Sequence, residues 1–184
     1  DPVRYYLMRE MVLGHDSSFT IESFIQRYNS DLANDFGNLL SRVTTLIKKN
    51  YDGVIPEPGD LSDLDLNIKK KGEALSKTVH QYVDDMQLND AIEKIMQFIR
   101  EVNKYMEENA PWKMVKEDKD GAGRVLYTAG EALRLGAVLL YPIMPNRTKT
   151  LLDALNVKER NFSWGNLQAG TRIKSHEPLF PRIK

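Results

Sequence analysis

Asn38 and Arg42 stand four residues apart in a long helical pattern, so they are neighbours one turn apart on one face. On a helical wheel with Asn38 at zero, Leu32, Phe36, Leu39, Leu40, Val43, Leu46 and Ile47 fall between about 80° and 200° and form the core side. Arg42 falls at about 40°, beside Asp31, Asn34, Thr45 and Lys49, and points away from that core. No acid occurs from residue 38 to residue 50, while Arg42, Lys48 and Lys49 are all basic. A guanidinium offers a planar donor fork, and an amide offers a donor and an acceptor together. That pair suits the edge of a nucleobase. Trp112 follows Pro111 where a helix must end, so its ring either closes the core or projects. A projecting ring is the plate on which an unpaired RNA base stacks. These residues permit single-stranded RNA binding and leave core closure by Trp112 as the alternative.

Other chemistry finds little support. The chain has no cysteine, which excludes disulfides, thiolate metal sites and thiol catalysis. Its three histidines, His15, His80 and His176, are far apart and form no Glu-x-x-His or His-Glu-x-x-His pattern, so no metal site is expected. Gly121-Ala122-Gly123 lacks the lysine of a phosphate loop and follows no strand; it reads as a flexible helix N-terminus. Asp84-Asp85, Glu107-Glu108 and Lys69-Lys70-Lys71 read as solvated helix faces. No catalytic residue is assigned. The 26 Lys and Arg balance the 26 Asp and Glu, so no large basic field exists for nonspecific nucleic-acid binding.

These residues must be held by elements, and the elements read as helices. The 184 residues suit one ordinary domain with a core of its own. Asp1 and Pro2 are expected to start a helix with Asp1 as its cap, carrying Val3, Tyr6, Leu7 and Met11. A loop is expected over 14–19. Thr20 then caps a period of 3.6 sustained from Ile21 to Ile47, with a kink or split expected at 29–31. Residues 50–60 form a Pro- and Gly-rich loop. Further helices are expected from Ser62, from a cap at Asn89 to about Ala110, over about 124–141, and from a cap at Asn146. In the helix over 124–141, Ala129, Gly130, Ala132, Gly136 and Ala137 suggest close contact on more than one face. The last segment is extended, with Trp164, Leu167, Leu179 and Phe180 to bury. The expected fold is all-α: an antiparallel bundle of five to six helices with an extended C-terminal tail. The expected division is a connecting segment over 1–19, the bundle over 20–155 and the tail over 156–184.

The stretch from Asn29-Ser30-Asp31 through Gly37-Asn38-Leu39-Leu40-Ser41-Arg42 closely resembles a signature of the methionyl-tRNA synthetase family. Arg4-Tyr5-Tyr6-Leu7-Met8-Arg9-Glu10 resembles the segment after that family's catalytic loop, and Asn109-Ala110-Pro111-Trp112-Lys113, with Lys116 behind it, resembles its anticodon-contacting junction. Pro178-Leu179-Phe180-Pro181-Arg182-Ile183 resembles the usual end of its helical domain. The resemblance implies the anticodon-binding domain of a methionine–tRNA ligase, reading the CAU anticodon loop of methionine tRNA. It implies that Asn38 and Arg42 contact anticodon bases and that the first base, a cytosine, stacks on Trp112. Asn34, Thr45, Lys49 and Lys116 are candidates for supporting RNA contacts.

Neither class I catalytic motif is present, and Lys113-Met114-Val115-Lys116 lacks the serines of the catalytic loop. The resemblance therefore implies that ATP and magnesium act in a catalytic domain of the same longer chain, while this stretch makes no adenylate by itself. The chain opens without Met directly into an amphipathic pattern, so it is expected to be a piece of something longer, monomeric as a fragment. A cytoplasmic, membrane-free home is expected, since the longest apolar run, 137–144, is broken by Pro142 and falls far short of the roughly 20 residues of a membrane span. The alternatives are the equivalent domain of a sister synthetase for isoleucine, valine, leucine or cysteine, and a non-enzymatic helical scaffold. A scaffold would need an exposed apolar stripe, and the sequence leaves none clearly over once the core is assigned.

Overall fold

Residues 21–50 form one continuous helical rod of changing pitch. In the computed structural model, which describes residues 1–12, 14–16 and 18–184, this rod begins as α2 (Ile21–Arg27). It widens into a π-helix over Tyr28–Gly37 and tightens again into α3 (Asn38–Asn50). The disturbance expected at 29–31 is thus a change of hydrogen-bond register and not a break. Thr20 caps the rod by accepting from the Ser23 amide at 3.1 Å. Leu32, Phe36, Leu39, Leu40, Val43 and Ile47 are all buried.

α1 (Pro2–Glu10) precedes the rod, and the loop expected over 14–19 contains Ser17, which with Leu13 lies outside the described residues. α4 (Asp63–Asp84) opens on a reciprocal capping box between Ser62 and Asp65 and pairs with α5 (Leu88–Asn109) as the most extensive helix contact. One turn, α6 (Pro111–Met114), leads into α7 (Lys119–Leu140), and α8 (Pro145–Ala154) follows. The rod, α1, α4, α5, α7 and α8 are the six helices of an all-α bundle; among the described residues the only strand-like pairing is one bridge between Val54 and Arg172.

α7 is the central helix. Apart from Arg124, every residue from Gly121 to Leu140 is buried, and α3, α4, α5, α6 and α8 all pack on it. Its small residues admit those neighbours, as the sequence suggested. The tail closes the open end through backbone bonds: Ile55 N donates to Thr171 O, Gly170 N to Ile55 O and Ile173 N to Gly53 O.

Four expectations need correction. α7 begins at Lys119, not near residue 124, because Asp118 caps it by accepting from the Gly121 amide at 2.8 Å; Gly121 to Gly123 are buried helix and not a flexible terminus. α5 begins at Leu88 after Gln87, so Asn89 is inside it. α8 begins at Pro145 after Met144, so Asn146 is inside it too. Asp1 makes no side-chain bond to α1; its carboxylate instead accepts from the Arg147 amide at 2.7 Å and from the Asn146 side chain, satisfying free donors at the start of α8. A fifth difference concerns α1. Tyr5 and Tyr6 carry its burial, while Val3, Leu7 and Met11, at helical spacing, stay exposed; Val12, Phe19 and Ile21 are exposed too, with the Phe19 ring edge-on to Tyr6 at 5.3 Å.

Candidate nucleic-acid interface

α5 ends where the Ala110 backbone turns into the left-handed region (φ 43°, ψ 58°). Pro111 then fits the first position of α6, where its missing amide costs nothing, and Trp112 becomes the second residue of a new turn. The junction is tied down by the Asn109 side chain, which donates to Tyr105 O at 2.9 Å, and by the Lys113 and Met114 amides, which both donate to Ala110 O. Trp112 is half-buried and does not belong to the hydrophobic core, unlike Trp164, which packs against it.

The structure brings Arg42 and Trp112 together. The Arg42 guanidinium carbon lies 5.1 Å from the centroid of the indole, a cation–π contact. Asn38 is exposed one turn up the same helix, at the point where the π-helix ends. Asn34, Thr45 and Lys49 are exposed on the same rod, and Lys116 is exposed just beyond α6. The clefts at the α4–α5 turn and beside Tyr141 are lined by none of Asn38, Arg42 and Trp112.

One member of the site was missed by the sequence reading. Glu107, read as part of a solvated face, places its carboxylate 2.7 Å from an Arg42 terminal nitrogen. The acid-free run from 38 to 50 is real, but α5 supplies an acid from outside it. The Arg42 side chain is 22% exposed and that of Glu107 is 63% exposed, so water competes for this ion pair. Such a pair is worth about 0.2–1 kcal/mol, and a cation–π contact at an exposed site about 0.5–1 kcal/mol. A good bidentate contact to a base, about 1–3 kcal/mol, is large enough to redirect the guanidinium. No local signal in the sequence identifies Glu107, since it lies 65 residues away from Arg42.

The elements that carry the site are fixed by buried polar groups. Asp65 is buried at the start of α4; it accepts from Ser62, is neutralised by Arg124 at 2.7 Å and is bonded by the Tyr105 hydroxyl. Burial, and then the Asp65 carboxylate, push the Tyr105 hydroxyl far above its ordinary range, so it stays a donor. Tyr105 lies four residues before Asn109, so this bond anchors the end of α5 that leads to Trp112. Asn103, on the same helix, donates to Asp35 O in the π-helix at 3.0 Å. Among the described residues no group of three or more His, Asp or Glu side chains comes together as a metal site.

Comparison with known proteins is consistent over the whole chain. Residues 55–184 match the family model described as the anticodon binding domain of methionyl tRNA ligase. Residues 1–44 match the model for class I tRNA synthetases of the methionine type. The methionine–tRNA ligase of Caldanaerobacter subterraneus subsp. tengcongensis is 42% identical over 100% of this chain and 30% of its own length. That of Deinococcus radiodurans is 39% identical over 99% of this chain and 28% of its own length. The free-state crystal structure of Mycobacterium tuberculosis methionyl-tRNA synthetase superposes with a TM-score of 0.94 at 31% identity, covering 100% of this chain and 38% of that one. This chain therefore spans about 30% of the length of the curated relatives it matches.

Proposed function

The chain belongs to the family of methionyl-tRNA ligase anticodon-binding domains, and from that premise we propose that it reads the CAU anticodon of methionine tRNA. The observation that carries the reading is the contact between Arg42 and Trp112, 5.1 Å apart, with Asn38 one turn away on an exposed face. Trp112 offers a plate for the first anticodon base. Asn38 offers a donor and an acceptor to a base edge. Arg42 leaves the weak hold of Glu107 for a base or a phosphate. Asn34, Thr45 and Lys49, exposed on the same rod, and Lys116, exposed just beyond α6, meet the backbone of the loop.

The domain's role is discrimination and not bond-making. ATP, magnesium and methionine would act in the class I domain that longer relatives carry. The exposed stripe of Val3, Leu7 and Met11, with Val12 and Ile21 also exposed, lies within residues 1–44, the part that matches the class I model. This stripe corrects the expectation that no apolar face is left over. It supports packing against the rest of that class I body in a longer chain, more than it supports a free scaffold. In the described residues no helix is long and apolar enough to cross a membrane.

Stacking contributes about 1–3 kcal/mol per base, and immobilising two macromolecules offsets much of the total. The isolated chain should therefore bind a stem-loop weakly, at about 0.1–1 mM. The test is a titration with a short RNA stem-loop bearing CAU, followed by tryptophan fluorescence, against a loop with the first base changed. Quenching that favours CAU and is lost in Trp112→Phe supports the reading. An equal response to both loops overturns it for the isolated chain.

A further inference from the structure

The ten residues immediately before Asn38 form a π-helix. Such helices rarely run beyond a single turn, so surrounding contacts must hold this one. The C-terminal tail supplies several of them, beside those from Tyr5 and Asn103. The Asn29 side chain makes a reciprocal pair with Ile183, its Nδ2 donating to Ile183 O at 2.9 Å and its Oδ1 accepting from Ile183 N at 3.0 Å. The Tyr28 hydroxyl donates to Pro181 O at 2.9 Å. The Phe180 ring lies edge-on to Tyr28 at 6.0 Å and tilted against Phe36 at 6.4 Å. Gly37 lies against that ring; a Cβ there would be crowded by Leu32 O at 3.0 Å and would meet Phe180 Cδ2 in ordinary contact at 3.5 Å.

The consequence concerns rotation. A residue in an i→i+5 helix turns through a smaller angle than in an α-helix. The number of residues held in π register therefore sets the azimuth at which the next side chains leave the rod. The next residue is Asn38, and Arg42 follows one turn later. α3 itself is anchored by buried Leu39, Leu40, Val43 and Ile47. If the π segment relaxes, the first turn of α3, from Asn38 to Arg42, must take up the change of register.

We infer that the clasp between the tail and the π-helix, with Asn29 at its centre, is a positioning device that aims Asn38 and Arg42 at the ligand of Trp112. This inference rests on the proposed reading of those three residues. Asn29 touches no base; it acts through the register of the rod.

The chain's two tryptophans provide the test. Trp112 lies under Arg42, while Trp164 packs on α4 at Gly72, away from the clasp. In Asn29→Ala, the Trp112 indole N–H resonance should move while that of Trp164 stays in place. Preference for the CAU stem-loop over the changed-base loop should fall about three- to ten-fold, the net worth of a hydrogen bond or so. Tyr28→Phe, which removes only the hydroxyl bond to Pro181, should shift the same resonance less, and it carries the test if Asn29→Ala does not fold. A lowered melting temperature with both indole resonances and the loop preference unchanged would make Asn29 merely structural and overturn the inference. If the unmodified chain shows no preference between loops, the base-reading proposal fails. The indole shift then decides by itself whether the clasp aims Arg42.

Discussion

Two arginine–carboxylate pairs sit at opposite ends of this molecule's range of environments. Arg134 and Glu131, three residues apart on α7, have 0% of either side chain exposed. Every group around them is matched. Arg134 donates twice to Glu131, and to Asn161 O and Ser163 O; Glu131 also accepts from the Gly165, Asn166 and Leu167 amides. Arg42 and Glu107 share the same chemistry at 2.7 Å but lie where water reaches both. Burial decides what each pair does. In the dry pair neither charge can leave, so it fastens the loop over 161–167 to the bundle. In the wet pair the arginine can exchange partners at small cost, which a binding site requires.

The largest expected effect comes from breaking the dry pair. Arg134→Met strands a buried carboxylate with its three backbone donors, and urea denaturation should show a loss of about 3–5 kcal/mol. A midpoint within error of the parent would mean that water reaches Glu131. The pair has a second readout in Tyr127. Burial first, and then the Glu131 charge, push its hydroxyl up to about 12, while it donates to Leu167 O. The folded value lies above the unfolded one near 10, so the stability Tyr127 contributes is complete below about pH 10 and is lost as pH rises through about 12. An absorbance titration of Glu131→Gln should bring this ionisation closer to the ordinary tyrosine range.

Gly72 comes next, because it seats the loop fastened by the dry pair. A Cβ there would lie 2.4 Å from Trp164 Cε3, too close for any real contact. Gly72→Ala should cost about 1–3 kcal/mol and should alter the emission of Trp164 while leaving the Arg42–Trp112 contact in place. Should both tryptophans respond, the two regions are coupled and the dry pair also influences the Arg42–Trp112 contact.

At the wet pair the expected losses appear in binding and not in folding. Trp112→Ala should weaken the CAU stem-loop by about 1–3 kcal/mol, with little change in the denaturation midpoint, because Trp112 lies outside the core. Arg42→Gln should relax discrimination between anticodon loops; if it unfolds the chain instead, Arg42 is structural. Glu107→Gln should be the mildest change, within about 1 kcal/mol in stability. A larger loss on calorimetry would show that the exposed pair is better shielded than its geometry implies.

Much of this arrangement was legible in the sequence because helices announce themselves locally. The 3.6-residue period placed the core face of the rod, and buried Leu39, Leu40, Val43 and Ile47 agree with it. The helix expected from Ser62 is α4, and Ser62 starts it. The rule for residues before proline ended α5 at the right place, and the residue that makes the turn, Ala110, does so in a left-handed conformation. Local signals also misled. Gly121-Ala122-Gly123 looked like a flexible helix N-terminus, but Asp118 caps α7 ahead of them, and Gly121 leaves room for that aspartate.

The sequence by itself determined that the elements are helices, which face of the rod is apolar, and that Asn38 and Arg42 leave it away from that face. Those properties depend on neighbours within one or two turns, and spacing reports them directly. Only the tertiary structure decided the partners across the fold. Glu107 reaches Arg42 from α5, Asp1 caps α8 from the far end of the chain, and Ile183 holds Asn29 and the widened helix that aims the site. Each of these contacts closes a loop of at least 65 residues, as between Arg42 and Glu107. Their energies come from burial and donor–acceptor matching at a distance, and no local pattern of residues encodes them.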